Sequence, residues 1–203
     1  MGRVVRSPGV WLAGLVCVAS VVPFTVTTSF YPLLLQGFGM SAASISLLAT
    51  VRVGSVALFS LLTGPFVGPA RRPLLLGVSG LFGAAGMALI PAVSGTGLGF
   101  LPMLLFGLCG GAMHNVQMAI AGEAVAAADR ALAMALVGSV GNVAMTLTPL
   151  LHGWMADRGM LAEAFPWTGL VLAIVAIAAW RWSAALRPRT AQVAEVPEEL
   201  PRA

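Results

Sequence analysis

The sequence predicts an all-α membrane protein of six transmembrane helices, on three observations. Hydrophobic residues fill 59% of its 203 positions and charged ones only 9%. The apolar residues gather into six stretches, approximately Val10–Tyr31, Ser44–Leu62, Pro73–Val93, Gly99–Ala121, Ala131–Leu151 and Pro166–Trp182. Nearly every arginine falls on one side of those stretches.

A helix rises about 1.5 Å per residue, so about 20 apolar residues cross a hydrocarbon core of ~30 Å. Lipid offers backbone N–H and C=O groups no partner, so each stretch must satisfy them internally as a helix. The runs are too long for barrel strands and lack the alternation that strands need. Residues 1–186 are therefore expected to form one six-helix bundle in the lipid bilayer, and residues 187–203, polar and Pro-containing, a disordered cytoplasmic tail.

The first stretch follows Arg3 and Arg6, as a signal peptide would, but it runs on past Ala19 and Ser20 to Tyr31 and is expected to be retained. It carries Thr25, Thr27, Thr28 and Ser29 toward its end. The second holds Arg52 about eight residues in, where a charge costs at least ~2.5–3.5 kcal/mol. Two readings stand for that arginine: it snorkels or caps helix-end carbonyls, or it faces a cavity or counter-charge on a substrate path. The third stretch has only Ser79, and the sixth only Thr168.

The fourth carries His114, Asn115 and Gln117. His114 and Gln117 are three apart and are expected to share a face, either as interhelical hydrogen bonds or as groups that bind substrate or carry a proton. The fifth carries Asn142, Thr146 and Thr148, with packing and cavity lining equally open for the Asn142/Thr146 pair. The third and sixth helices thus read as lipid-facing, and the other four as bordering something polar. Glu123, near Asp129 and Arg130, reads as a solvated loop carboxylate. Cys17 and Cys109 lie within spans and read as packing residues, with no disulfide or metal site implied. Two G-x-x-x-G pairs, Gly64/Gly68 and Gly107/Gly111, mark expected close approaches between helices.

All eleven basic residues are arginine, which gives a net charge of +4. They are scattered between spans rather than gathered on a soluble face, which argues against nucleic acid as partner. Their distribution fixes orientation instead. Arg3, Arg6, Arg71, Arg72, Arg130, Arg181, Arg187, Arg189 and Arg202 share one side, and Arg158 alone occupies the other. The positive-inside rule places both termini in the cytoplasm. Trp11, Trp180 and Trp182 then belong at the inner interface, and Tyr31, Trp154 and Trp167 at the outer one. No G-x-x-x-x-G-K-[ST] is present, so no nucleotide or other cofactor is expected.

Several segments carry a family resemblance. Gly64 through Pro73 aligns with the cytoplasmic signature G-x-x-x-D-R-x-G-R-R, keeping Gly64 and one of the two arginines Arg71 and Arg72, with Gly68 and Pro69 in place of the acid and base. Thr148-Pro149-Leu150-Leu151-His152-Gly153 keeps Pro149 and the last glycine of the antiporter signature G-P-x-x-G-G, and Phe106 stands where a fourth-helix arginine is expected before Cys109-Gly110. The stretch Phe30 to Ser41 is similar to the end of a seventh transporter helix, and Gly138 to Asn142 with Pro166 to Gly169 to the last two helices of drug and sugar efflux permeases.

The chain therefore resembles one half-repeat of the major facilitator superfamily, the C-terminal half, over roughly residues 7–187. That family builds twelve helices from two six-helix repeats about a central site. The resemblance implies proton-coupled efflux of a small molecule, with Thr28, Arg52, His114, Gln117 and Asn142 on the path and Gly64, Arg71, Arg72 and Pro149 in the conformational signatures. It implies location in a bacterial inner (plasma) membrane. A chain of this length does not enclose a twelve-helix cavity alone, so it is a fragment or pairs with a second half or with itself. The competing readings are a degenerate, non-transporting membrane module, and a rhomboid-like intramembrane serine protease built on Gly77-Val78-Ser79-Gly80. The latter lacks a histidine on the sixth helix, where it would be needed.

Overall fold

A computed structural model describes residues 2–93 and 97–186, and every regular element among them is helical. The expected tail, 187–203, lies outside the described residues. A short helix α1 (Gly2–Val5) leads into α2 (Pro8–Ser29), α3 (Tyr31–Gly37), α4 (Ala42–Thr63), α5 (Arg72–Val93), α6 (Phe100–Glu123), α7 (Arg130–Ala156) and α8 (Leu161–Ala185). Six segments are long and apolar enough to cross a membrane, with mean hydropathies from 1.3 to 2.0.

The first of these runs through α2 and α3 together, Pro8–Gly37, beyond the expected end at Tyr31. Helicity breaks at Phe30 because Pro32 starts a new helical turn, a position where its missing N–H costs nothing. The extension ends at Gly39, whose positive φ of 76° turns the chain toward α4. The Ser41 hydroxyl then caps α4 by accepting from the Ser44 N–H at 3.2 Å. A second positive-φ glycine, Gly159 (73°), makes the equivalent turn between α7 and α8.

Helices α2 and α6 form the centre of the bundle, with 56% and 61% of their apolar windows buried. Helix α4 packs on α6, α7 packs on α2, and α5 and α8 pair with each other behind them. The flanking helices α4 and α7 are the least buried, at 17% and 22%. Between their ends, helices α5 and α8 present apolar outer faces, such as Leu74, Val78 and Leu81 on one and Leu170, Ile174 and Ile177 on the other. Such faces suit acyl chains, and α4 and α7 also expose large apolar residues, such as Leu61 and Leu150.

Small residues set the close contacts. A Cβ on Gly111 would lie 2.5 Å from the Ser60 backbone N, and one on Gly107 would overlap Ser55, so α4 and α6 meet nearly backbone to backbone. Gly80, Gly83 and Gly169 do the same between α5 and its neighbours α6 and α8. The other expected pair behaves differently. Gly64 lies in a 3₁₀ turn past the end of α4 and Gly68 has nothing near it, so Gly64/Gly68 is loop and not a packing motif.

Cys17 and Cys109 are free and buried, against the glycines at 141 and 83 respectively, as packing residues. Tyr31 departs from its expected place at an interface: it is 3% exposed and packs edge-on against Phe165, at 6.3 Å between ring centroids. Trp11, Trp154, Trp167 and Trp180 are all exposed.

Candidate functional site

An open groove of about 210 Å³ runs between α2, α4 and α6, lined by Ser20, Val21, Phe24, Val56, Phe106, Gly110 and His114. Its α2 wall follows from helical spacing: Ser20 and Phe24 are four residues apart on one face, which continues past the groove to Thr28. Phe24 and Thr28 are exposed on that face. His114 is exposed on α6, where Gly110 one turn before it leaves room beside Val56.

Arg52 reaches this wall from α4. It is only 5% exposed, and its Nη1 donates to Thr28 Oγ1 (2.7 Å), Thr27 Oγ1 (3.0 Å) and the Phe24 carbonyl (3.2 Å). The guanidinium carbon also sits 4.7 Å from the centroid of the Phe24 ring. The threonine hydroxyls are oriented for this task. Thr27 donates to the Pro23 carbonyl at 2.8 Å and Thr28 to the Phe24 carbonyl at 2.7 Å, leaving their lone pairs to the arginine. Arg52 therefore neither snorkels nor meets a counter-charge: a carbonyl, two hydroxyls and an aromatic face hold it.

His114 and Gln117, expected on one face, are separated by the fold. Gln117 is 4% exposed and its Oε1 accepts from Ser20 Oγ at 3.3 Å, so it joins α6 to α2, while His114 looks into the groove. Asn142 is exposed on α7, but it does not line this groove; Gly141 beside it packs on Cys17 and Val21. Thr146 turns its hydroxyl back to the Asn142 carbonyl at 2.9 Å. The structure thus brings Thr28 and Arg52 together, with His114 in the groove whose wall, Phe24, Arg52 also touches, and Asn142 apart.

The signature residues Gly64, Arg71 and Arg72 lie at the other end of these helices. Arg72 donates from Nε to the Val67 carbonyl at 2.7 Å and from Nη2 to Glu123 Oε1 at 2.5 Å. The link joins the start of α5 to the end of α6, so Glu123, expected as a solvated loop carboxylate, is instead the last residue of a helix and an ion-pair partner. Its side chain remains 56% exposed. Arg71 is exposed and lies 5.2 Å from the Phe66 ring centroid. Gly64 caps α4, and Pro149 sits within α7 without ending it.

Three polar groups that the sequence left unassigned clamp the bundle. Asn115 Nδ2 donates to the Ser60 carbonyl (2.6 Å) and Thr63 Oγ1 (3.2 Å), and its Oδ1 accepts from Ser60 Oγ (3.1 Å). Ser55 Oγ donates to the Met103 carbonyl at 3.0 Å. His152 is buried, with Nδ1 2.9 Å from the Thr148 carbonyl and Nε2 2.8 Å from Thr168 Oγ1. The one sequence signal for these was a polar side chain inside an apolar run, which marks a hydrogen bond without naming its partner.

Ser79 does not fit a nucleophile. It is 2% exposed, and its hydroxyl donates to the Leu75 carbonyl of its own helix. No group of three or more His, Cys, Asp or Glu side chains able to hold a metal is present among the described residues.

No curated protein and no solved structure matches the chain. The family model described as Major Facilitator Superfamily matches residues 12–202, from the second turn of α2 through all six spans. The chain is an integral membrane protein with a half-repeat bundle of six apolar helices, and it belongs to the Major Facilitator Superfamily of membrane transporters.

Proposed function

We propose that this chain is one half of a secondary permease that exports a small molecule, coupled to protons, across a bacterial inner membrane. The observation that carries the reading is the groove between α2, α4 and α6, with His114 in its wall and Arg52 seated on Phe24 and Thr28 at its edge. Polar groups in a bilayer are costly, and here Arg52 and His114 stand at or in the open face between the sparsely buried α4 and the two central helices. A second six-helix bundle, from another chain or a second copy, would close that face into a passage. Transport would follow from rocking of the two bundles about a site near the midplane. His114 is the imidazole on this wall, a side chain that can both donate and accept a proton. Arg72 and Glu123, linking α5 to α6 away from the groove, would hold one of the two rocking states.

The test is flux in proteoliposomes under an imposed pH gradient, with a panel of small molecules and with any six-span partner chain supplied. Gradient-driven flux that falls about tenfold or more in His114→Ala supports the reading. Absence of flux for every compound, with and without a partner, sinks it in favour of a non-transporting module.

A further inference from the structure

Arg71 and Arg72 are neighbours in sequence with opposite surroundings. Arg72 is buried, and its pair with Glu123 clamps the start of α5 to the end of α6. Arg71 is exposed. No acidic side chain among the described residues pairs with it, and its guanidinium carbon lies 5.2 Å from the centroid of the Phe66 ring. An accessible arginine at the end of a spanning helix, with no acid beside it, attracts the anions of a membrane surface.

One turn further along α5, an open groove of about 170 Å³ lies between α5 and α6. It is lined by Leu74, Leu75, Val78 and Ser79 on one helix and by Leu108 and Ala112 on the other. The four α5 residues stand three, four, seven and eight positions after Arg71, which is the spacing of a single helix face. Arg71 therefore heads the face that forms this wall, about 5 Å along the axis from where the groove begins. The one polar residue in the lining, Ser79, turns its hydroxyl back to the Leu75 carbonyl of its own helix, so the wall is apolar throughout. Leu74 and Val78 are exposed, so the groove opens outward to hydrocarbon.

An accessible arginine followed one turn later by an apolar groove fits a charged headgroup that carries an acyl chain. From this we infer that the site holds an anionic phospholipid of the leaflet on the arginine-rich side, with its phosphate on Arg71 and one acyl chain along Leu74, Val78 and Leu108. The ligand spans both features, so Arg71 has no need to line the groove itself. Guanidinium N–H groups match phosphate oxygens in pairs. The carboxylate at this end of the two helices, Glu123, is already engaged by Arg72, which leaves no partner for the ammonium of a zwitterionic headgroup. The inference is independent of the transport reading, since a non-transporting module would hold the same lipid.

The test is native mass spectrometry of the delipidated full chain in detergent, titrated with dioleoyl lipids. Wild-type protein is expected to bind one phosphatidylglycerol about fivefold more tightly than phosphatidylcholine, equivalent to about 1 kcal/mol for one arginine at a charged surface. Dioleoylglycerol, which lacks the phosphate, should bind no better than phosphatidylcholine, and glycerol 3-phosphate, which lacks the chains, should not bind. Arg71→Gln should remove the preference and Arg71→Lys should retain part of it. Arg181→Gln, which removes another exposed arginine, should leave it unchanged. Val78→Trp, which fills the groove from an exposed position, should weaken both lipids.

Equal binding of the two lipids by the wild type overturns the inference and needs no variant to fold. A loss of preference in Arg181→Gln as large as that in Arg71→Gln also overturns it, as general attraction to a basic surface. Glycerol 3-phosphate bound as tightly as the lipid would make the ligand a free phosphate instead. Dimers that come apart in Val78→Trp, with the lipid preference unchanged, would give the groove to a second copy of the chain and overturn the inference as well.

Discussion

His152 Nε2 lies 2.8 Å from Thr168 Oγ1, a bond between buried side chains that ties the fifth spanning helix to the sixth. Nδ1 of the same ring faces the Thr148 carbonyl at 2.9 Å, so Nδ1 carries a proton there. The Thr168 hydroxyl has a second acceptor in the Ala164 carbonyl at 2.8 Å, so its single proton is shared between that carbonyl and Nε2. Thr168→Val strands a buried ring nitrogen, at an expected cost of about 1–3 kcal/mol. His152→Leu combined with Thr168→Val removes both partners and should cost less than the sum of the two single changes. Unfolding by denaturing detergent in bicelles measures this; single variants indistinguishable from wild type would discard the assignment.

The close approach of α4 and α6 predicts a contrast between two glycines. Gly111→Ala places a Cβ 2.5 Å from backbone that has no room to yield, and should destabilise by about 1–3 kcal/mol. Gly138→Ala, also within a helix, meets nothing within 4 Å and should be neutral or stabilise by up to about 1 kcal/mol. Equal thermal shifts for the two in purified protein would contradict the helix contact described for Gly111.

The Arg72–Glu123 pair is half open to solvent on its acidic side, so its contribution to folding is expected to be about 1 kcal/mol or less. Glu123→Gln should therefore fold normally. If the pair holds one transport state, the same variant should alter the rate of flux and the accessibility of a cysteine introduced in the groove at Val56. A double-mutant cycle with Arg72→Gln gives the coupling, and a stability coupling well above that limit would show a structural clamp instead.

Orientation is open to a chemical check. Gly68→Cys sits in the connection expected in the cytoplasm and Arg158→Cys in the opposite one. An impermeant maleimide added to intact cells should label Arg158→Cys and spare Gly68→Cys until the membrane is opened. Cys17 and Cys109, being buried, should stay unlabelled in both. The reverse pattern would invert the positive-inside assignment.

The reach of sequence reading differs between the scaffold and the site. The six spans were legible because hydrocarbon imposes one rule on every residue of a crossing segment, and a run of apolar side chains displays it without regard to neighbours. The helix ends were read short, by several residues at Tyr31 and Leu151, because proline and polar residues are tolerated near the interface once backbone bonds continue through them. Arg52 stood out by type alone. Its partners did not, since Thr27 and Thr28 are separated from it by more than twenty residues and a turn.

What the sequence determined by itself is the number of spanning helices, the family and the presence of a costly charge within the second. Each is a property of residue type along one segment. Only the tertiary structure decided that His114 opens to a groove while Gln117, three positions on, is sealed against Ser20, and that Asn142 stands apart from both. The reason is that these helices are apolar nearly all round. In a soluble helix the polar stripe tells which side is outward, whereas here either side satisfies the hydrophobic pattern, and the choice of face falls to glycines and to hydrogen bonds between helices.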